Sequence, residues 1–176
     1  MIALIGAFLT MAGAVGAGIC ICMDREGRVR QLRSLERAFE VMAGEISYSR
    51  ISLPEVLKET GEKMPAQDFE AIGAALCRIG DRLCDGSGQD VETVWKEEME
   101  GFLKQTKLAG QEKELVLSFP SAVWFLDGPR QQAAVLAYAQ GMREAACLAQ
   151  KKKQEENRLT MALSLACGAF AAIMLL

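Results

Sequence analysis

Charge is confined to the middle of this 176-residue chain. All 20 Lys and Arg and all 23 Asp and Glu lie within residues 24–158. The stretches 2–22 and 159–176 hold none, and both are rich in Ile, Leu, Ala and Met. A helix rises about 1.5 Å per residue, so the first run reaches roughly 32 Å and the second roughly 27 Å. The hydrocarbon core of a bilayer is about 30 Å thick, and it leaves backbone polar groups no partner outside their own helix. Two membrane helices, 2–22 and 159–176, are therefore expected on either side of a domain at 24–158.

A signal peptide is the competing reading of the first run. It fits poorly, because no basic segment precedes Ile2 and the run is long for a cleavable signal. The basic residues follow it instead: Arg25, Arg28, Arg30, Arg33 and Arg37. Lys151, Lys152, Lys153 and Arg158 precede the second run. Lys and Arg concentrate on the cytoplasmic side of membrane spans. The expected topology is a cell-membrane protein with a cytoplasmic central domain and both termini outward. Small residues also recur four apart in the runs: Ala12 and Gly16, Gly13 and Ala17, Ala14 and Gly18, then Ser164, Gly168 and Ala172. Such rows let helix backbones approach closely, between the two spans or between subunits. Ordinary membrane composition produces them as well.

The central stretch is long enough for one domain with a real core. Its apolar residues recur at three and four throughout, the period of a helix, and no strand-like alternation competes. The first helix, 28–50, turns Val29, Leu32, Leu35, Phe39, Met42 and Ile46 to one face, and no breaker after Gly27 separates it from the apolar run. Ser52, Pro54 and Glu55 read as a second start, with Glu55 reaching back in a capping box. A third helix spans 67–84 with Phe69, Ile72, Leu76, Ile79 and Leu83 inward. Asp90 can cap a fourth to 107, carrying Val94, Trp95, Met99 and Leu103. A fifth starts near Gln111, with Leu126 among its apolar residues, and Pro120 should kink or split it. From Pro129 no strong breaker follows, and Ala133, Leu136, Met142, Ala145 and Leu148 are expected to face the bundle. The fold class is all-α, an antiparallel bundle of about five or six helices between the terminal membrane helices.

Chemistry is hard to find. Histidine is absent, which removes the commonest general base and metal ligand. Six cysteines include no CxxC pair, so a zinc site is not expected, and they read as small buried hydrophobes in a reducing compartment. Asp85-Gly86-Ser87-Gly88 follows a helix and lacks the lysine of a phosphate loop, so it reads as a turn. Glu97, Glu98 and Glu100 sit on the polar side of the fourth helix and read as a solvated face. No catalytic residue, cofactor or metal is assigned. Arg30, Arg33 and Arg37 near the membrane, with Glu112 and Glu114 on the fifth helix, are the candidate partner contacts; plain solubilising charge is their other reading. Basic residues beside a span can also meet anionic lipid.

Several features together resemble the stage III sporulation protein AB family over nearly the whole length. They are the apolar helix at each end, Arg30-Gln31-Leu32 with Leu35, Glu45-Ile46 with Tyr48, and Trp95. Glu112-Lys113-Glu114-Leu115 with Phe119, then Asp127 and Gln131-Gln132, complete the set. The chain departs from the family at Phe119-Pro120, at Val123-Trp124 and at Ile51-Ser52-Leu53. The resemblance implies a part of the complex joining mother cell to forespore, similar to the inner-membrane platform protein of type II secretion and type IV pilus machines. It implies a place in the mother-cell membrane facing the forespore, linking a cytosolic secretion-type ATPase to ring-forming partners. Homo-oligomers fit that role; no nucleic-acid partner is expected, because the sequence has no basic stripe with interleaved aromatics. A membrane-tethered signalling or regulatory helical module is the alternative; an enzyme would need buried ionisable groups.

Overall fold

The computed structural model describes residues 2–49, 51–64, 66–85 and 88–175. Side chains are described within 25–49, 51–64, 71–85 and 88–164, and at scattered positions elsewhere. Among the described residues there are seven helices and no strand: α1 (Ile2–Ser49), α2 (Leu53–Lys63), α3 (Ala66–Cys84), α4 (Val91–Lys104), α5 (Gly110–Leu117), α6 (Phe119–Val123) and α7 (Gly128–Leu175). Two compact units result, one from Met1–Val29 with Cys147–Leu176 and one from Arg30–Ala146.

The helix boundaries follow local chemistry. At the start of α2 the Ser52 backbone N–H donates to Glu55 Oε2 at 3.0 Å, as a capping box requires. The Ser52 hydroxyl does not accept from the backbone; it donates to the same oxygen at 2.8 Å. Asp90 caps α4, accepting from the Thr93 N–H at 3.1 Å. Pro120 splits the expected fifth helix into α5 and α6, because its ring cannot donate the bond that would join them. The Asp127 backbone carbonyl accepts the first bond of α7, from the Gln131 N–H at 2.7 Å.

In the Arg30–Ala146 unit the core is set by an aromatic cluster. Trp95 of α4 stacks on Phe119 of α6 with centroids 4.7 Å apart. Phe119 meets Phe39 of α1 at 5.1 Å and Tyr138 of α7 edge-on at 5.3 Å. The buried indole N–H donates to the Val116 carbonyl at 2.9 Å, so its polar end is satisfied. Leu32, Leu35 and Met42 of α1, Val56 and Leu57 of α2, and Leu76 and Ile79 of α3 complete the packing. Phe69 falls outside the described side chains.

α2 and α3 form an antiparallel hairpin in which backbone meets backbone. A Cβ on Gly61 would stand 2.5 Å from the Gly73 carbonyl oxygen and 2.9 Å from the Cys77 nitrogen. One on Gly80 would stand 2.8 Å from the Pro54 carbonyl oxygen. Burial between the two helices pushes the Cys77 thiol up from its ordinary value.

Three expectations are corrected. On α7 the inward face is Val135, Ala139, Met142 and Ala146, whereas Ala133, Leu136 and Leu148 are exposed and Ala145 is half-buried. Val135, Ala139, Met142 and Ala146 recur at three and four and so share one face, whereas Leu136 and Leu148 stand one and two positions off that row. Leu126 lies exposed in the turn after α6, not on an apolar helix face. Cys20, Cys84 and Cys147 are exposed free thiols, and Cys77 alone among the described cysteines is partly sheltered. Among the described residues no helix is long and apolar enough to cross a membrane; most side chains of 2–18 and 165–175 lie outside that set.

Candidate partner-binding surfaces

Burying Leu32, Leu35, Phe39 and Met42 turns the opposite side of α1 to solvent. Arg30, Arg33 and Arg37 all fall there, three and four residues apart, and make one basic stripe. Arg37 pairs with Glu40 one turn on, at 3.5 Å. Gly44 and Tyr48 continue the exposed line, and Tyr48 is 91% exposed. On α5 Glu114 is exposed. Glu112 is not: it is 8% exposed, and its carboxylate accepts from the Ala109 N–H at 2.6 Å. At the third position of the helix it closes the N-terminus of α5, which Ala109 has no side-chain acceptor to do. It is therefore a capping residue, and the expected acidic patch on α5 reduces to Glu114.

An aromatic tip escaped the sequence reading. Phe125, in the turn between α6 and α7, is 87% exposed. A cavity of about 390 Å³ lined by Ile46, Ser47, Gly128, Pro129 and Gln132 joins the end of α1 to the start of α7. Tyr48 and Phe125 lie one and three residues from that lining. The signal was in the sequence: Trp124-Phe125-Leu126 runs directly into the breaker Asp127-Gly128-Pro129 and has no helix to bury it.

Several carboxylates of this unit are engaged by cations. Glu98 accepts from Arg78 Nε at 2.8 Å and from Arg82 Nη1 at 3.0 Å, and Arg82 also reaches Glu97 at 2.9 Å. Its side chain is 19% exposed, so Glu98 belongs to the α3–α4 contact and not to a solvated face. The Arg78 hydrogen bond, with Arg82 adding to it, holds the Glu98 carboxyl below the ordinary value of 4.5. Lys63 bridges Glu45 of α1 and Glu59 of α2, and lowers the Glu45 carboxyl likewise. Arg143 of α7 clasps Glu36 and Glu40 of α1, both at 2.6 Å. A carboxylate held ionised by guanidinium is a poor general acid. Among the described residues no group of His, Cys, Asp and Glu could hold a metal ion.

In the terminal unit α1 and α7 approach at Gly18, where a Cβ would stand 2.7 Å from Ser164 Oγ. That hydroxyl donates to the Thr160 carbonyl one turn back, at 2.8 Å. Among the described residues nothing stands within 4 Å of the Gly13 Cβ position. The expected packing residues Ala17, Gly168 and Ala172 lie outside the described side chains.

The family model for stage III sporulation protein AB matches residues 3–176. The chain belongs to that family. Membership places it among proteins of the third stage of sporulation. A solved structure of stage III sporulation protein AB is similar, with a TM-score of 0.61 and 19% identity. The match covers 73% of this chain and 98% of the solved one, so this sporulation protein shares that fold. No curated protein matches it. In this family member, then, the resemblance carried by Trp95, Phe119 and Glu112 falls on the core and on a helix cap, and that by Arg30 and Tyr48 falls on the exposed side of α1.

Proposed function

We propose that this chain is a non-catalytic membrane platform component of the sporulation complex between mother cell and forespore, linking a cytosolic secretion-type ATPase to ring-forming membrane partners. The observation that carries it is the stage III sporulation family match across both apolar runs and the charged domain between them. The uncharged runs 2–22 and 159–176 act as membrane anchors, and their Lys and Arg flanks put the central domain in the cytoplasm with both termini outward. Gly18 against Ser164 supports direct packing of the two anchors. Exposed Arg33 and Arg37, with Arg30 and Glu114, are the polar contacts for the ATPase, and Tyr48 and Phe125 supply the apolar anchors that polar contacts alone lack.

The test is co-purification of the full chain with the sporulation ATPase from detergent-solubilised membranes. Arg33→Glu combined with Arg37→Glu reverses the stripe and should abolish recovery of the ATPase while leaving thermal stability unchanged. Undiminished recovery would remove the stripe from the coupling surface. Failure of the wild-type chain to bring down the ATPase under conditions where it retains other sporulation proteins would overturn the platform reading.

A further inference from the structure

A cleft of about 190 Å³ in the terminal unit is lined by Arg25, Arg28, Ala149, Lys152, Lys153 and Glu156. Arg25 and Arg28 thus line it from α1, and Lys152, Lys153 and Glu156 from α7; Arg28 is itself engaged by a neighbour. Two of the cations are largely covered: the Arg25 side chain is 27% exposed and that of Lys153 19%. Covering a charge costs solvation, which nearby opposite charge must offset. Carboxylates at the cleft and on its rim meet part of that cost. Glu156 is shared, its Oε2 3.2 Å from Arg25 Nε and its Oε1 3.6 Å from Lys152 Nζ. Lys153 Nζ reaches Glu26 on the rim at 3.4 Å. Arg25 is locked in place, its Nη1 donating to Asn157 Oδ1 and Thr160 Oγ1, both at 3.0 Å. The result is a part-enclosed space with a fixed guanidinium and long amines around it, which suits an anion with several acceptor oxygens. Phosphate is that anion: Arg meets it with a rigid fork and Lys as a point charge.

Position narrows the source. The cleft occupies the last charged turns before both apolar runs, since 2–22 ends three residues before Arg25 and 159–176 begins three residues after Glu156. Headgroup phosphates of a bilayer lie at that depth, and basic pockets between helices there take anionic lipid. We propose that the cleft of Arg25, Arg28, Lys152 and Lys153 binds a phosphate group, supplied by the headgroup of an anionic phospholipid. The lipid source rests on the membrane reading above; the phosphate chemistry does not.

The test uses the full chain in mild detergent, with Lys152→Gln/Lys153→Gln as the weakened variant and Lys152→Arg/Lys153→Arg as the charge-preserving one. Native mass spectrometry reads retention of phosphatidylglycerol against phosphatidylcholine with the same acyl chains. Thermal midpoints read the response to inorganic phosphate. Each cation near a headgroup is worth about fivefold in affinity, so the double Gln variant should hold phosphatidylglycerol about thirtyfold more weakly. The double Arg variant should recover it. Preference for phosphatidylglycerol that the Gln pair loses assigns the site to lipid. Stabilisation by inorganic phosphate that the Gln pair loses, without lipid preference, assigns it to free phosphate. Equal behaviour of wild type and Gln pair towards both ligands overturns the site. Alkaline extraction of the wild-type chain from vesicles reads anchoring separately: release would end the membrane reading while the phosphate arm still decides the cleft.

Discussion

Between α2 and α3 backbone touches backbone, whereas between α1 and α7 at Gly18 a serine side chain fills the approach. Both seams are made of small residues. At Gly61 a Cβ would meet the Cys77 sulfur and also the Gly73 carbonyl and the Cys77 nitrogen, and the two backbone atoms cannot move without the helix. At Gly18 the obstacle is the hydroxyl of Ser164, which can rotate. The spacing rule pointed to the terminal runs, yet the tighter seam lies in the charged domain, at glycines 61, 73 and 80. A row of small residues permits close approach; whether a neighbour takes the offer depends on the helix opposite.

The comparison can be broken at four points. Gly61→Ala should cost most. Overpacking against fixed backbone costs about 1–3 kcal/mol and outweighs the helix-propensity gain. At about 2–4 °C per kcal/mol for a chain of this size, the thermal midpoint followed by circular dichroism should fall clearly; an unchanged midpoint would mean the hairpin is looser than described. Gly18→Ala should cost less, about 1 kcal/mol, and its cost should shrink in a Ser164→Ala background because the blocking hydroxyl is gone. Equal costs in the two backgrounds would place the obstacle elsewhere. Gly13→Ala, with open space around it, should be neutral or stabilising by up to about 1 kcal/mol. A loss there would reveal a neighbour beyond the described residues.

The smallest effect concerns pH at the α3–α4 contact. Glu98 is held below its ordinary value, so it is ionised and paired in the folded state at pH values where the unfolded chain already binds protons. Its contribution is fully present above about pH 4.5 and is lost as pH falls through the lowered folded value. Glu98→Gln should flatten the acid limb of the stability curve by about 0.5–1 kcal/mol and leave the neutral region close to that of other ion-pair deletions. An unchanged acid limb would show that Arg78 and Arg82 do not act through this carboxylate.

Helix boundaries were readable because they are local. Pro120, Asp90 and Glu55 act on backbone within one turn, and each ended or began an element where expected. Faces were readable where large residues dominate one side, as in α1 and α4. On α7 Met142 was read correctly as inward, but Leu136 and Leu148 were misread: Val135, Ala139 and Ala146 share the buried face with Met142, and the leucines are exposed. Which row packs depends on the gap the remaining helices leave, and that is not local. Glu112 was misread for a related reason. Its role depends on Ala109 lacking an acceptor, and charge alone suggested surface. The arginine stripe was legible from its spacing, while the aromatic tip needed the turn at Asp127 to be placed first.

The two tryptophans inherit this layout as built-in reporters. Trp95 is sealed among rings with its N–H bonded to a carbonyl, so its emission should be blue and change only when the core opens. Trp124 is half-buried beside bare Phe125, so its emission should be redder and respond when something covers the tip. One fluorescence spectrum of the unlabelled chain therefore separates unfolding from docking by colour.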